Sequence, residues 1–291
     1  DHRDLHSFPT RRSSDLRSKL DEAVANVKEL SSTADGRIRM ALAPHSIYTC
    51  STAYLKEILE EAKSLDVLLQ IHLAESIQER AYAKTNFGMS PVQYLASLDY
   101  FEHDILLAHA VHVDATDIDL LVQAGARIAH NPTSNLKLGN GIAPVSEFLK
   151  RGLTVGLGTD GAASNNRLDI LAEIRLAALL QKGLTNDPTV LDALTGLKLG
   201  TIYGARALGL DQQIGSLEVG KLADFILVDI DKPNLSPYHD LVANLVYAAS
   251  SADITDVFIA GREIVRNREL LTIDVERTRE MITKFYNKMY N

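Results

Sequence analysis

The chain has 291 residues, 46% hydrophobic and 23% charged, with 30 Lys plus Arg against 38 Asp plus Glu for a net charge of −8. That length suits one large domain, or a large domain with a small satellite, and the composition excludes disordered and collagen-like chains. An acidic chain without a basic block is a poor nucleic-acid binder. The lone Cys50 rules out an intrachain disulfide and a Cys-rich zinc cluster, and no apolar run approaches the ~18 residues of a membrane span. The expected compartment is the cytoplasm.

Residues 1–16 combine three acids, three Arg, a Pro and four Ser/Thr without periodicity, and read as a non-native leader. Regular patterning starts at Leu16, where Leu20, Ala23, Val24, Val27 and Leu30 recur at helical spacing. Short apolar runs then predict strands at 38–43, 67–71, 105–108, 126–129 and 153–158. Helical patterns lie between them at 52–64, 91–98, 115–124 and 145–150. A further helix carries Leu168, Leu171, Ile174 and Leu179 on one face. Buried strands alternating with helices imply an α/β unit with a parallel sheet, spanning 17–208. After Gly209 the pattern changes to a strand at 223–230 and a hairpin over 257–266, a second β-rich module spanning 209–270. A surface helix at 275–290 closes the chain, within a final segment of 271–291.

Polar residues gather where the predicted strands end. His45 follows the first run, His72 ends the second with Glu75 three residues on, His109 ends the third, and Asp160 follows the last. Parallel α/β folds place active sites at this edge, so these groups can converge. Each has a plain structural alternative: Glu75 can favour the N-terminus of a helix starting near Ser76, and Asp160 can serve a tight turn. Gly156 and Gly158 point the same way in a strand and leave room for a metal or ligand below Asp160. His103, His130 and His239 are read as structural, and Cys50 lacks a clear His partner.

The segments A-P-H-S-I-Y-T-C-S, Q-I-H-L-A-E-S, L-A-H-A-V-H, H-N-P-T-S-N-L-K-L-G-N-G and G-L-G-T-D-G-A-A-S-N-N resemble the amidohydrolase superfamily. They are most similar to its 5-methylthioadenosine/S-adenosylhomocysteine deaminases. The resemblance implies a (β/α)8 TIM-like barrel with a small β-sandwich and one divalent metal, usually zinc. It implies that His72 and Asp160 are metal ligands, that Glu75, His109 and Asp160 are catalytic, and that His45, Glu75 and Asp160 contact substrate. The implied reaction is attack of water on C6 of an adenine ring, with Asp160 taking a proton from that water, His109 orienting it and Glu75 protonating the ring nitrogen. The implied partner is a small nucleoside, with a homo-oligomer as the complete form.

One departure is large. The family's H-x-H pair on its first strand has no counterpart, since His2 and His6 stand four apart within the leader. Counted back, the strand ending at His45 corresponds to the family's fourth. The sequence is therefore expected to hold strands 4–8 and part of the sandwich, with Leu69, Leu107, Ile128 and Val155, or their alternating neighbours, facing an open barrel interior. Competing expectations are another hydrolase of the superfamily, such as a chlorohydrolase or guanine-type deaminase, and an inactive fragment.

Overall fold

A computed structural model describes residues 13–31 and 33–290. His2, His6 and most of the expected leader lie outside the described residues. The apolar runs are too short for helices, and four of them pair as a parallel sheet. It comprises β1 (Leu69–Leu73), β2 (Ile105–His109), β3 (Arg127–His130) and β4 (Thr154–Leu157), in the order β1-β2-β3-β4. The register sets Leu73 opposite His109, and Ala108 opposite Ala129, which faces Gly156. The run at 38–43 is not a strand. Only Leu42 bridges to Leu69, because this segment reaches the sheet through few backbone bonds, among them Leu42 to Leu68, Gln70 to Leu42 and His72 to His45.

Leu69, Leu107, Ile128 and Val155 are fully buried, in one cluster with Leu55, Leu95, Leu121 and Phe148 from the helices. They face the helical layer. Their neighbours Gln70, His72, Ala108, Ala129 and Gly156 line the other side, a cavity of about 700 Å³. Of the two faces the sequence left open, the smaller and more polar set faces the cavity.

Helix Thr52–Leu65 starts where Ser51 accepts the Tyr54 N–H and stops at Asp66, whose left-handed backbone ends the helix. Helices Ala115–Gln123 and Val145–Lys150 stand where periodicity places them. Helix Ile170–Thr185 corrects one expectation: Leu168, just before it, and Leu179 are exposed, while Ile174, Ala177, Ala178 and Gln181 are buried. Ile174 and Ala178 meet Gly196 of helix Ala193–Leu199, whose lack of a side chain lets the two helices approach, while Leu168 and Leu179 lie outside that contact. Helix Ile77–Phe87 gave no periodic signal because it buries only Glu79 and Ala83.

The second module is an antiparallel sheet of β5 (Phe225–Val228), β6 (Ile254–Ile259), β7 (Arg262–Arg266) and β8 (Glu269–Leu270). The β6–β7 loop is the pair Ala260-Gly261, with φ of 49° and 74°. Two positive φ values in a two-residue loop match the twist that hairpins prefer. Helix Val275–Tyr290 is exposed along its length.

Helix Ile202–Ala207 lies tight against β4. A Cβ on Gly156 would stand 2.8 Å from Gly204 Cα and 3.2 Å from Ala207 Cβ, so an added methyl must push backbone aside. Gly156→Ala should therefore cost about 1–3 kcal/mol. Gly183→Ala, in a helix with nothing within 4 Å of the new methyl, should instead gain about 0.4–1 kcal/mol. Urea unfolding of both variants checks the contrast; equal effects would show that the β4–helix contact is looser than described.

Candidate metal centre

The parallel register brings three strand ends to one place. His72 lies near the end of β1, His109 ends β2, and Asp160 follows β4. One ligating atom from each of the three lies within 4.8 Å of the others. The His72 and His109 rings stack with centroids 5.2 Å apart, and the His45 ring lies 4.8 Å from His72.

Hydrogen bonds set which imidazole nitrogens face the cluster. His72 Nδ1 donates to the His45 carbonyl at 2.8 Å, and the same carbonyl accepts the His72 N–H at 3.1 Å. That leaves His72 Nε2 as the lone-pair nitrogen. His109 Nδ1 donates to Asn135 Oδ1 at 2.7 Å. His109 Nε2 is fully buried with no hydrogen-bond partner, and stands 4.0 Å from Glu75 Oε1. Burial lowers the His109 pKa, with the Glu75 carboxylate opposing it. A buried nitrogen left without a partner costs about 1–3 kcal/mol. A water or substrate group held there would remove that cost, and the His72 imidazole with the Asp160 carboxylate are donors that zinc accepts. The residues fit a divalent ion.

Asp160 is the acidic member. Burial alone would raise its pKa, but Ser134 Oγ at 2.6 Å, Ser164 Oγ at 2.7 Å and the Gly161 N–H at 2.7 Å outweigh it and hold the carboxyl below its ordinary value. Its backbone is left-handed at φ 61°, as are Ala74 at 50°, His109 at 76° and Ala110 at 48°. Non-glycine residues in this region are uncommon and cluster at functional sites.

Glu75 lies beside the cluster without joining it. Asn140 Nδ2 donates to its Oε1 at 2.9 Å, and its own N–H donates to Glu79 Oε2 at 2.8 Å. The helix-capping alternative for Glu75 fails, since Ser76 is the cap. His45 Nδ1 bonds Ser46 Oγ and Thr49 Oγ1, and its pKa is lowered by burial and then by His72. Gly158 lies on the cavity beside Asp160, and a Cβ there would collide with Asn131 Oδ1. Gly204 packs against Gly156 and Asn131 against Gly158, and both glycines line the same cavity as Asp160. His103 bonds the Val67 carbonyl and burial drives the wholly buried His130 down to about 3, and neither belongs to the group of His72, His109 and Asp160.

Sequence reading missed Ser134, Asn135, Asn140, Ser164 and Glu79. The first three lie in the H-N-P-T-S-N-L-K-L-G-N-G segment already singled out, but small polar side chains give no periodic signal. Glu79 carried one available cue, the S-x-x-E spacing from Ser76. Burial pushes Glu79 up to about 7, against the N–H bonds from Glu75 and Ala74 that favour its charged form.

A model of the amidohydrolase family matches residues 5–264. The 5-methylthioadenosine/S-adenosylhomocysteine deaminase of Moorella thermoacetica is 44% identical over 270 residues, covering 93% of this chain and 63% of that protein. The enzyme of the same name from Pelotomaculum thermopropionicum is 46% identical over 264 residues, covering 91% and 61%. Among solved structures, a zinc-bound adenosine deaminase from Xanthomonas campestris superposes with a TM-score of 0.89 at 34% identity, over 94% of this chain and 62% of that one. An atrazine chlorohydrolase from Arthrobacter aurescens TC1, solved with zinc, gives 0.85 at 28% identity, over 92% and 60%. The chain thus spans about three fifths of the length of the curated relatives it matches.

Glu79 gives the site a pH signature. Its carboxyl titrates near 4.5 when unfolded and near 7 when folded, so between those values the folded protein holds the extra proton. Stability from this group is present below about pH 4.5 and is lost as pH rises toward 7. Glu79→Gln should remove that loss, becoming more stable relative to the parent at pH 8 than at pH 5 in urea unfolding. Parallel stability curves for the two proteins would contradict the assignment.

Proposed function

The chain belongs to the amidohydrolase family, and on that footing we propose that the whole protein deaminates adenosine-type nucleosides. The substrate would be 5-methylthioadenosine or S-adenosylhomocysteine, and the products ammonia and the inosine-type nucleoside. The observation that carries the reading is the group of His72, His109 and Asp160 with Glu75 beside it, at the strand ends of a parallel sheet. The names of the relatives support the substrate. We also assign β1–β4 and the Leu42 segment to strands 4–8 of a (β/α)8 barrel, and the antiparallel sheet to part of its β-sandwich. No helix of the described residues is long and apolar enough to cross a membrane, in keeping with the cytoplasmic location we propose.

His72 and Asp160 would hold one divalent metal, zinc in this reading. When bound, such an ion lowers the pKa of water toward about 7 and so supplies a nucleophile at neutral pH. Asp160, kept anionic by three donors, accepts a proton from the attacking water. His109, fixed by Asn135, orients that water through Nε2, and with a proton there its charge stabilises the attacking oxygen. Glu75, in its protonated form, protonates the ring nitrogen beside the attacked carbon, with its carboxyl aimed by Asn140. That carbon becomes tetrahedral; Asp160 passes the proton it took to the exocyclic nitrogen, Glu75 takes the remaining proton of the attacking oxygen, and ammonia leaves as the carbonyl forms. His45 hydrogen-bonds the nucleoside portion. This division parallels zinc nucleobase deaminases, where a carboxylate outside the coordination sphere moves protons.

A second reading, a chlorohydrolase, is favoured only by the likeness to the atrazine enzyme. Ammonia release from adenosine-type nucleosides, against chloride release from chlorotriazines, separates the two. In the whole protein, His72→Ala should remove metal and activity together, as metal analysis and ammonia assays would show. Glu75→Gln should keep the metal and lower kcat by the ~10²–10⁴-fold typical of acid–base groups, while His45→Ala should act mainly on KM. Unchanged kcat in Glu75→Gln would remove Glu75 from the mechanism.

A further inference from the structure

The helix Ile77–Phe87 opens with half of a reciprocal cap: Ser76 Oγ accepts the Glu79 N–H at 3.1 Å. In the complete form the side chain three residues on returns to the cap's own N–H. The helices after Ser90 and Asp114 both complete it, through Gln93 and Asp117. Glu79 does otherwise. Its Oε2 accepts the N–H of Glu75, one residue before the cap, at 2.8 Å, and the Ala74 N–H also bonds this carboxyl. Glu79 is 2% exposed, and its Oε1 is buried with no partner. Burying a carboxyl this poorly paired is costly, and a helix end gains nothing from it that an exposed acid would not give.

What the bond does hold is the turn that carries Glu75. Ala74 is fully buried with φ 50°, a conformation alanine does not favour unless its surroundings impose it. Ala74 also anchors the neighbouring strand end, since its carbonyl accepts the Val111 and His112 N–H groups. Glu75 is thus fixed at two points, its backbone by Glu79 and its carboxylate by Asn140. We propose that Glu79 is a positioning residue for Glu75, holding the Ala74–Glu75 turn so that the Glu75 carboxyl faces the reacting ring rather than solvent. This rests on the proton-donor role given to Glu75 above.

The test combines kinetics with amide exchange on the whole protein. Glu79→Ala, and the milder Glu79→Asp if the alanine variant does not fold, should lower kcat about 10–100-fold, the scale of a displaced acid–base group, with KM changed less than about threefold. Glu79→Gln keeps an acceptor oxygen and should stay within about fivefold of the parent. The decisive arm is the double variant: if Glu79 acts through Glu75, Glu79→Ala should have no further effect once Glu75→Gln is present. Exchange of the Glu75 amide should speed up at least tenfold in Glu79→Ala and Glu79→Asp but not in Glu79→Gln. A fully additive double variant, or an unchanged Glu75 amide, would overturn the proposal. Absence of deaminase activity in the parent would instead overturn the role of Glu75, and faster amide exchange would still support the hold that Glu79 exerts.

Discussion

The hydrogen bond from His72 Nδ1 to the His45 carbonyl is the interaction on which the rest of the site depends. It fixes the His72 tautomer, so that Nε2 carries the lone pair toward His109 and Asp160. With the His72 N–H it also draws the His45 segment onto the edge of β1, where Leu42 makes the only bridge of that run. A metal-binding histidine usually gives its second nitrogen to a carbonyl or carboxylate, and Asn135 fixes the His109 ring through the corresponding nitrogen. Both imidazoles are therefore oriented before any ligand arrives.

Around this pair the environment drives carboxyls apart. Asp160 collects two hydroxyls and a backbone N–H and stays anionic, whereas Glu79, with a buried oxygen left unpaired, is pushed up to about 7. Glu75 takes one bond from Asn140 on its carboxylate and gives one from its N–H to Glu79. Separating the protonation tendencies of neighbouring acids is how one fold runs acid and base steps at a single pH. The left-handed residues Ala74, His109, Ala110 and Asp160 carry the strain of bringing these groups to one edge.

Much of this was legible in the sequence, for a simple reason. Strand ends in parallel α/β folds point to one side, so His45, His72, His109 and Asp160 could be grouped before any coordinates, and the structure does bring them together. Burial against helices was harder. Leu168, Ile174 and Leu179 look like one core stripe, yet of the three only Ile174 is buried, because Gly196 and Gly200 open room for its side chain against the next helix. Gly156 and Gly158 do line the cavity beside Asp160, but no signal in the sequence showed that Gly204 and Asn131 pack against them as well. Ser134, Asn135 and Asn140 were silent because their partners lie far off in sequence, while Ser164 and Glu79 stand four residues from Asp160 and Glu75, where a single side-chain bond leaves no periodicity.

The central claim is that one divalent ion sits between His72 and Asp160, with Glu75 outside its coordination sphere. Anomalous diffraction at the zinc edge, on crystals of the whole protein grown with zinc, addresses it directly. The account predicts a single strong peak about 2.0–2.2 Å from His72 Nε2 and an Asp160 oxygen, with Glu75 beyond bonding distance. A peak ligated by Glu75, or an ion that leaves His72 and Asp160 uncoordinated, would contradict it.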